Sequence, residues 1–344
     1  MRAVLKTTRD KGIELRDVPI PKPQAGEVLV KVKAAAICGT DLHLYEWTDW
    51  CENVGAKNPL VLGHEFCGEV VEVGEQVKSL KPGDLVAAET HIPCGHCNMC
   101  RTGKQHICQD MKILGVHTDG CFAEFAVLPE VCAWKLPAAT PPKIGAVYEP
   151  FGIAVHGVLK DHIAGLSTVV IGAGPIGILC AAVAEAAGAS QGVLTDPHDY
   201  RLELAKSVTQ NVKTLHAKRD DVIAVIGSET GGQGADVVLE VSGSVSGVRT
   251  AFDLAGKGGR VTLIGLPSQE VPLDLVNNVI YKEARIYGIT GREMFQSWYL
   301  AERFVDKIDL ERVITHVFPL EEVEQAIATV QSRMAGKVVI QVQD

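Results

Sequence analysis

The run Cys94-Gly95-His96-Cys97-Asn98-Met99-Cys100, followed by Cys108, sets four thiols in the spacing C-x2-C-x2-C-x7-C. Four cysteines so placed suit the closed tetrahedral shell of one structural zinc ion. A looser set, Cys38 with the adjacent His64 and Glu65, offers sulfur, nitrogen and oxygen ligands without saturating a metal in sulfur. Structural zinc is closed by four protein ligands, whereas catalytic zinc keeps a position for water or substrate. Two ligand sets of different character therefore imply two jobs: one ion would hold a loop and the other would do chemistry. A third constellation, Gly172-Ala173-Gly174-Pro175-Ile176-Gly177, fits G-x-G-x-x-G and points to a phosphate-bearing dinucleotide.

These residues need a scaffold, and length bounds it. At 344 residues the chain exceeds the size at which one core keeps growing, so two domains are expected. Hydrophobic residues make up 47% and charged residues 22%. No uninterrupted apolar run approaches the roughly 18 residues of a membrane-spanning helix. The N-terminal Met1 to Lys6 segment meets the charged Arg9-Asp10-Lys11 group too early to form a signal-peptide core, so a cytoplasmic location is expected. In that compartment the ten cysteines read as ligands and thiols rather than disulfides. Cys51, Cys67, Cys121, Cys132 and Cys180, outside the ligand sets, read as buried thiols. A formal charge of −9 disfavours nucleic acid as a partner.

Residues 1 to about 150 carry short alternating segments separated by glycine and proline, Glu27 to Lys33 and Gly68 to Gly74 among them, with a turn at Lys81-Pro82-Gly83-Asp84. That texture predicts an all-β unit. From about 165 it changes. Ser167–Ile171 is a compact apolar strand, and the alanine-rich stretch from Ile176 to Gly188 is a helix ending in glycine. Strand candidates recur at 192–196, 235–241, 260–265 and 284–288. Strands alternating with helices predict a parallel sheet covered on both faces. Helical segments follow 292, and 336–340 reads as a last strand.

The glycine run follows a strand and opens a helix, the context the fingerprint requires. Gly172 would permit the tight turn, Gly174 the approach of pyrophosphate, and Gly177 close helix packing. Asp196 ends the next strand, 19 residues past Gly177. A carboxylate there suits the ribose hydroxyls of NAD and repels the 2′-phosphate of NADP. Chemically, a zinc Lewis acid beside an oxidised nicotinamide suits hydride removal from an alcohol. Thr40 and His43 would carry the released proton outward, since histidine titrates near neutrality.

The elements Ile37-Cys38-Gly39-Thr40-Asp41-Leu42-His43, Gly63-His64-Glu65, the four-cysteine loop and the glycine fingerprint occur in the order found in zinc-dependent medium-chain alcohol dehydrogenases. The chain resembles that family over nearly its whole length. Tyr45 to Trp50, His91 to Cys97, Glu149-Pro150-Phe151-Gly152 and Gly291 to Tyr299 are most similar to its threonine-oxidising branch. Ile153 departs from that branch, where asparagine usually follows. The resemblance implies an α/β chain: a GroES-like β-rich catalytic domain over 1–150, completed by 292–344, and a Rossmann doubly wound parallel sheet over 151–291. It implies two zinc ions per chain, NAD, a small amino-alcohol substrate and a homotetramer. It places Cys38, His64 and Glu65 at the catalytic zinc and Cys94, Cys97, Cys100 and Cys108 at the structural one. Glu149 would lie near the metal, as an exchanging ligand or as receiver of the substrate ammonium. Ile176, Asp196 and Arg201 would contact the adenosine side of NAD, with Ile264, Gly265, Leu266, Ile289 and Thr290 along the nicotinamide side. A polyol or sugar-acid dehydrogenase would use the same machinery, whereas a non-enzymatic zinc protein would need only the four cysteines.

Overall fold

Alternation of apolar residues in Glu27–Ala36 makes it the central strand of a seven-stranded sheet. It pairs antiparallel with Glu65–Val73, with Phe125–Pro129 and with the late strand Lys337–Gln341. A computed structural model of the chain describes residues 1–343 and divides it into two units, Met1–Glu149 with Ile314–Asp344, and Pro150–Val313. The register of the first unit matters for its chemistry. Ala36 stands opposite both Glu65 and Val339, so residues about 270 positions apart in sequence flank the same point. That unit also contains helices the β-only reading omits, Gly39–Glu46 and Asp49–Val54. A three-stranded sheet of Glu14–Asp17, Arg2–Lys6 and Leu60–Val61 completes it, with a short pair formed by His91–Ile92 and Lys112–Ile113.

In the second unit six parallel strands, counted in chain order, stand 3-2-1-4-5-6, the order of a dinucleotide-binding doubly wound sheet. They are Ser167–Ile171, Gln191–Asp196, Val212–His216, Ala235–Glu240, Ala255–Leu263 and Arg285–Gly288. Val169, Val193, Val238, Val248, Phe252 and Val261 meet in one buried cluster. Such burial is worth about 1.5–3 kcal/mol per large apolar side chain.

The segment 292–313, expected with the catalytic unit, is part of the second unit. Its last helix, Leu310–Val313, packs on the helices Pro175–Ala186 and Asp199–Val208, burying Leu310 and Val313. Among the described residues no helix is long and apolar enough to cross a membrane.

Candidate active site and metal centres

The four cysteines sit in the loop that the two short strands close, where His91 faces Ile113 and Ile92 faces Lys112. Cys97 caps the four-residue helix Asn98–Arg101, its sulfur accepting from Cys100 N. Sγ separations are 3.5 Å for Cys97 to Cys100, 3.8 Å for Cys97 to Cys108 and 4.0 Å for Cys94 to Cys100. Zinc–sulfur bonds of about 2.3 Å put tetrahedral sulfurs about 3.8 Å apart, so the four sulfurs fit a zinc ion. Backbone N–H groups of Cys94 and Asp110 donate to Cys108 Sγ at 3.2 and 3.3 Å. The amides of Cys100 and Gln109 draw the Cys97 thiol down to about 6, favouring the thiolate that ligation requires. Cys51, Cys67, Cys121, Cys132 and Cys180 are buried thiols.

Cys38, His64 and Glu65 bring their ligand atoms within 4.8 Å of one another. Cys38 is the N-cap of the helix Gly39–Glu46, and its backbone N–H donates to Asp41 Oδ2 at 2.8 Å. His64 and Glu65 lie at the head of the strand beside Ala36, both buried. Sequence reasoning passed over two neighbours. Buried Asp41 places Oδ1 3.7 Å from His64 Nδ1, and neither atom has a hydrogen-bond partner. A hydrogen bond closing that gap would orient the imidazole, as carboxylates orient metal-binding histidines. Lys337, from the C-terminal strand, is ion-paired with Glu65 and donates to Ile37 O at 2.8 Å.

Charge is concentrated here. Burial depresses the basicity of His64, but Asp41 and Cys38 outweigh it and push the imidazole up to about 10. Burial raises the Glu65 carboxyl to about 7, with Lys337 opposing and Glu149 reinforcing the rise. Glu149 is buried and its charge acts on both residues, although it is outside the three that converge. A pocket that holds a thiol, an imidazole and carboxylates away from water fits a divalent cation. Thr40 Oγ1 lies 3.8 Å from Cys38 Sγ, and the exposed His43 places Nδ1 3.0 Å from Thr48 Oγ1. Partial desolvation of its ring, exposed though the residue is as a whole, lowers the His43 pKa.

On the second unit Gly172 has φ +101°, which only glycine adopts freely. Gly174 caps the helix Pro175–Ala186, whose free N–H groups suit pyrophosphate, and a side chain on Gly177 would strike the carbonyl oxygen of Gly172. Asp196 is buried rather than open to solvent. Its Oδ2 accepts from Ala173 N at 2.8 Å and its Oδ1 from His198 N at 2.9 Å, with Arg201 Nη1 3.8 Å away. Asp196 thus ties the strand end to the glycine turn. Ile176 borders the turn, half-buried. A cavity of about 360 Å³ opens beside it, lined by Gly172, Thr195, Pro197, Asp221, Ile223 and Ser242 among others. Asp221 and Ile223 lie in a stretch without a motif, so no sequence signal marked them. Ile264 and Ile289 approach Gly157, whereas Gly265 is half-buried and Leu266 and Thr290 are exposed.

Residues 24–138 match the family model described as an alcohol dehydrogenase GroES-like domain, and 175–307 that of a zinc-binding dehydrogenase. The chain is similar, at 46% identity over 342 residues, to the L-threonine 3-dehydrogenase of Bacillus subtilis strain 168, covering 99% of this chain and 98% of that one. The chain belongs to the zinc-dependent medium-chain alcohol dehydrogenases. Two solved structures share its fold. A zinc-binding dehydrogenase from Sinorhizobium meliloti 1021 bound to NADP has a TM-score of 0.90 at 31% identity. A protein described as a short chain alcohol dehydrogenase, from E. coli CFT073 and complexed with NADH, has 0.87 at 30%. Each comparison covers 99% of both chains.

For this alcohol dehydrogenase, Cys100→Ser is expected to remove one zinc equivalent, measured by atomic absorption, and to lower the melting temperature. An ion there would supply the main order in a loop with little apolar burial. Unchanged zinc content in the folded variant would exclude the four-cysteine site.

Proposed function

We propose that the chain oxidises the secondary hydroxyl of L-threonine to 2-amino-3-oxobutanoate, reducing NAD to NADH. The observation that carries this reading is the mixed set of half-buried Cys38 with buried His64 and Glu65, backed by Asp41 and Lys337, in a chain whose relative of almost equal length bears the threonine dehydrogenase name. When bound, zinc supplies a Lewis acid that acidifies the substrate hydroxyl, and NAD supplies the hydride acceptor.

The chain's own residues do the rest. Cys38 and His64 hold the ion, and Asp41 fixes the ring of His64. Lys337 restrains Glu65 by its ion pair, which supports a position behind the metal for that carboxylate while the ion pair lasts. Glu149, buried and acidic, receives the ammonium group of the substrate, an interaction a polyol cannot make. Thr40 would relay the hydroxyl proton, accepting it while giving up its own outward, and the exposed His43 would pass a proton to water. Gly172, Gly174 and Gly177 form the turn that seats the pyrophosphate, with Ile176, Asp196 and Arg201 toward the adenosine side. Ile264, Gly265, Leu266, Ile289 and Thr290 border the nicotinamide. Asp196 supports NAD over NADP because its charge opposes a 2′-phosphate. The family resemblance supports a cytoplasmic homotetramer, for which light scattering at four chain masses is expected; a single chain mass would contradict it.

Steady-state assays with threonine, sorbitol, 2,3-butanediol and hexonates, each with NAD and NADP, test the substrate directly. Threonine with NAD is expected to give the highest kcat/KM, and a far higher value for any polyol would overturn the assignment. Cys38→Ser is expected to abolish turnover while NADH binding persists. Retained turnover would remove Cys38 from the metal.

A further inference from the structure

Glu240 ends the fourth strand of the parallel sheet with no exposed surface. Its Oε1 accepts from Ser242 N at 2.9 Å, from the Ser242 hydroxyl and from Gly243 N at 3.2 Å, and Oε2 also faces Gly243 N at 3.2 Å. The backbone carbonyl of the same residue accepts from Ile264 N and Gly265 N at 2.8 and 3.0 Å. Two loops are therefore fastened to one residue. They are also pressed together: Gly243, at φ +63°, has no room for a side chain because Leu266 O would lie 2.8 Å from its Cβ. A Cβ on Gly265 would stand 2.9 Å from Glu240 Oε2.

The third partner is the glycine turn. A Cβ on Gly172 would stand 2.9 Å from both Cα and N of Ser242, so the position of Ser242 sets the back wall of the fingerprint. From Ser242 the bonding continues outward. Its Oγ lies 2.9 Å from Ser244 Oγ, which accepts from Gly247 N at 3.0 Å and so caps the helix Val245–Leu254. We propose that Glu240 is a positioning residue for dinucleotide binding, its buried carboxylate holding segments 242–244 and 264–266 in register with the glycine turn at 172–174. This rests on the proposed reading of the chain as NAD-dependent.

Burial pushes the Glu240 carboxyl up, opposed by the Ser242 hydroxyl and the Gly243 and Ser242 amides. Hydroxyl and amide hydrogens need an acceptor, and burying them without one is costly. An isosteric amide at 240 keeps the volume but turns part of that acceptor into a donor, so the loops must shift to avoid facing donor with donor.

Fluorescence titration of the full-length zinc-loaded enzyme with NADH, alongside steady-state kinetics, tests the proposal. Glu240→Gln is expected to raise the Kd for NADH about tenfold and the KM for NAD in parallel, leaving the KM for threonine and the zinc content unchanged. Ser242→Ala, at an exposed position, is expected to raise the Kd about threefold, and it decides the matter if Glu240→Gln does not fold. An unchanged Kd in the folded variant overturns the proposal, as does a rise matched by zinc loss and a raised threonine KM, which marks general damage. If the unaltered enzyme binds no NADH, the NAD-dependent reading fails and the proposal falls with it.

Discussion

Everything chemical in the first unit depends on gathering several acidic side chains at one place, most of them out of water. Cys38, Asp41, Glu65 and Glu149 share a pocket with His64 and Lys337. Buried charges of one sign are costly unless opposed, and Lys337 opposes them from one side. On the proposed reading the zinc opposes them from the other, which makes metal affinity a product of the fold rather than of three ligands. The sheet register creates this balance, since it sets Glu65 and the C-terminal strand on either side of Ala36.

That dependence explains what could and could not be read from the chain. The four cysteines were legible because their ligands lie within fifteen consecutive positions, and the sulfur separations fit one ion. The parallel-sheet strands were legible where they carry a compact apolar run, Val169-Val170-Ile171 within Ser167–Ile171 and Val237-Val238-Leu239 within Ala235–Glu240. Val212–His216 was missed because it is an edge strand with Lys213, Thr214 and His216 in it, so nothing in its composition separates it from a loop. Lys337 and Glu240 lie in no motif, and Asp41, though inside the Ile37 to His43 element, carries no ligand signal of its own. A lysine in a final strand, an aspartate in a first helical turn and a glutamate ending a strand have ordinary surface explanations, and only long-range pairing makes them buried partners.

The two units solve a similar problem in different ways. In the first, charge is held by charge, through Asp41 behind His64 and Lys337 against Glu65. In the second, carboxylates are held by backbone amides: Asp196 accepts from Ala173 and Glu240 from Ser242 and Gly243.

The central claim is that the Cys38 and His64 pocket holds an ion with a position free for the alcohol. Cobalt(II) exchanged into that pocket, with zinc left in the four-cysteine loop, reports on it directly through its visible spectrum. The account predicts a single thiolate-to-cobalt band and tetrahedral d–d bands that shift when threonine is added with NADH bound. Cobalt confined to the four-cysteine loop, or d–d bands indifferent to the alcohol, would contradict it.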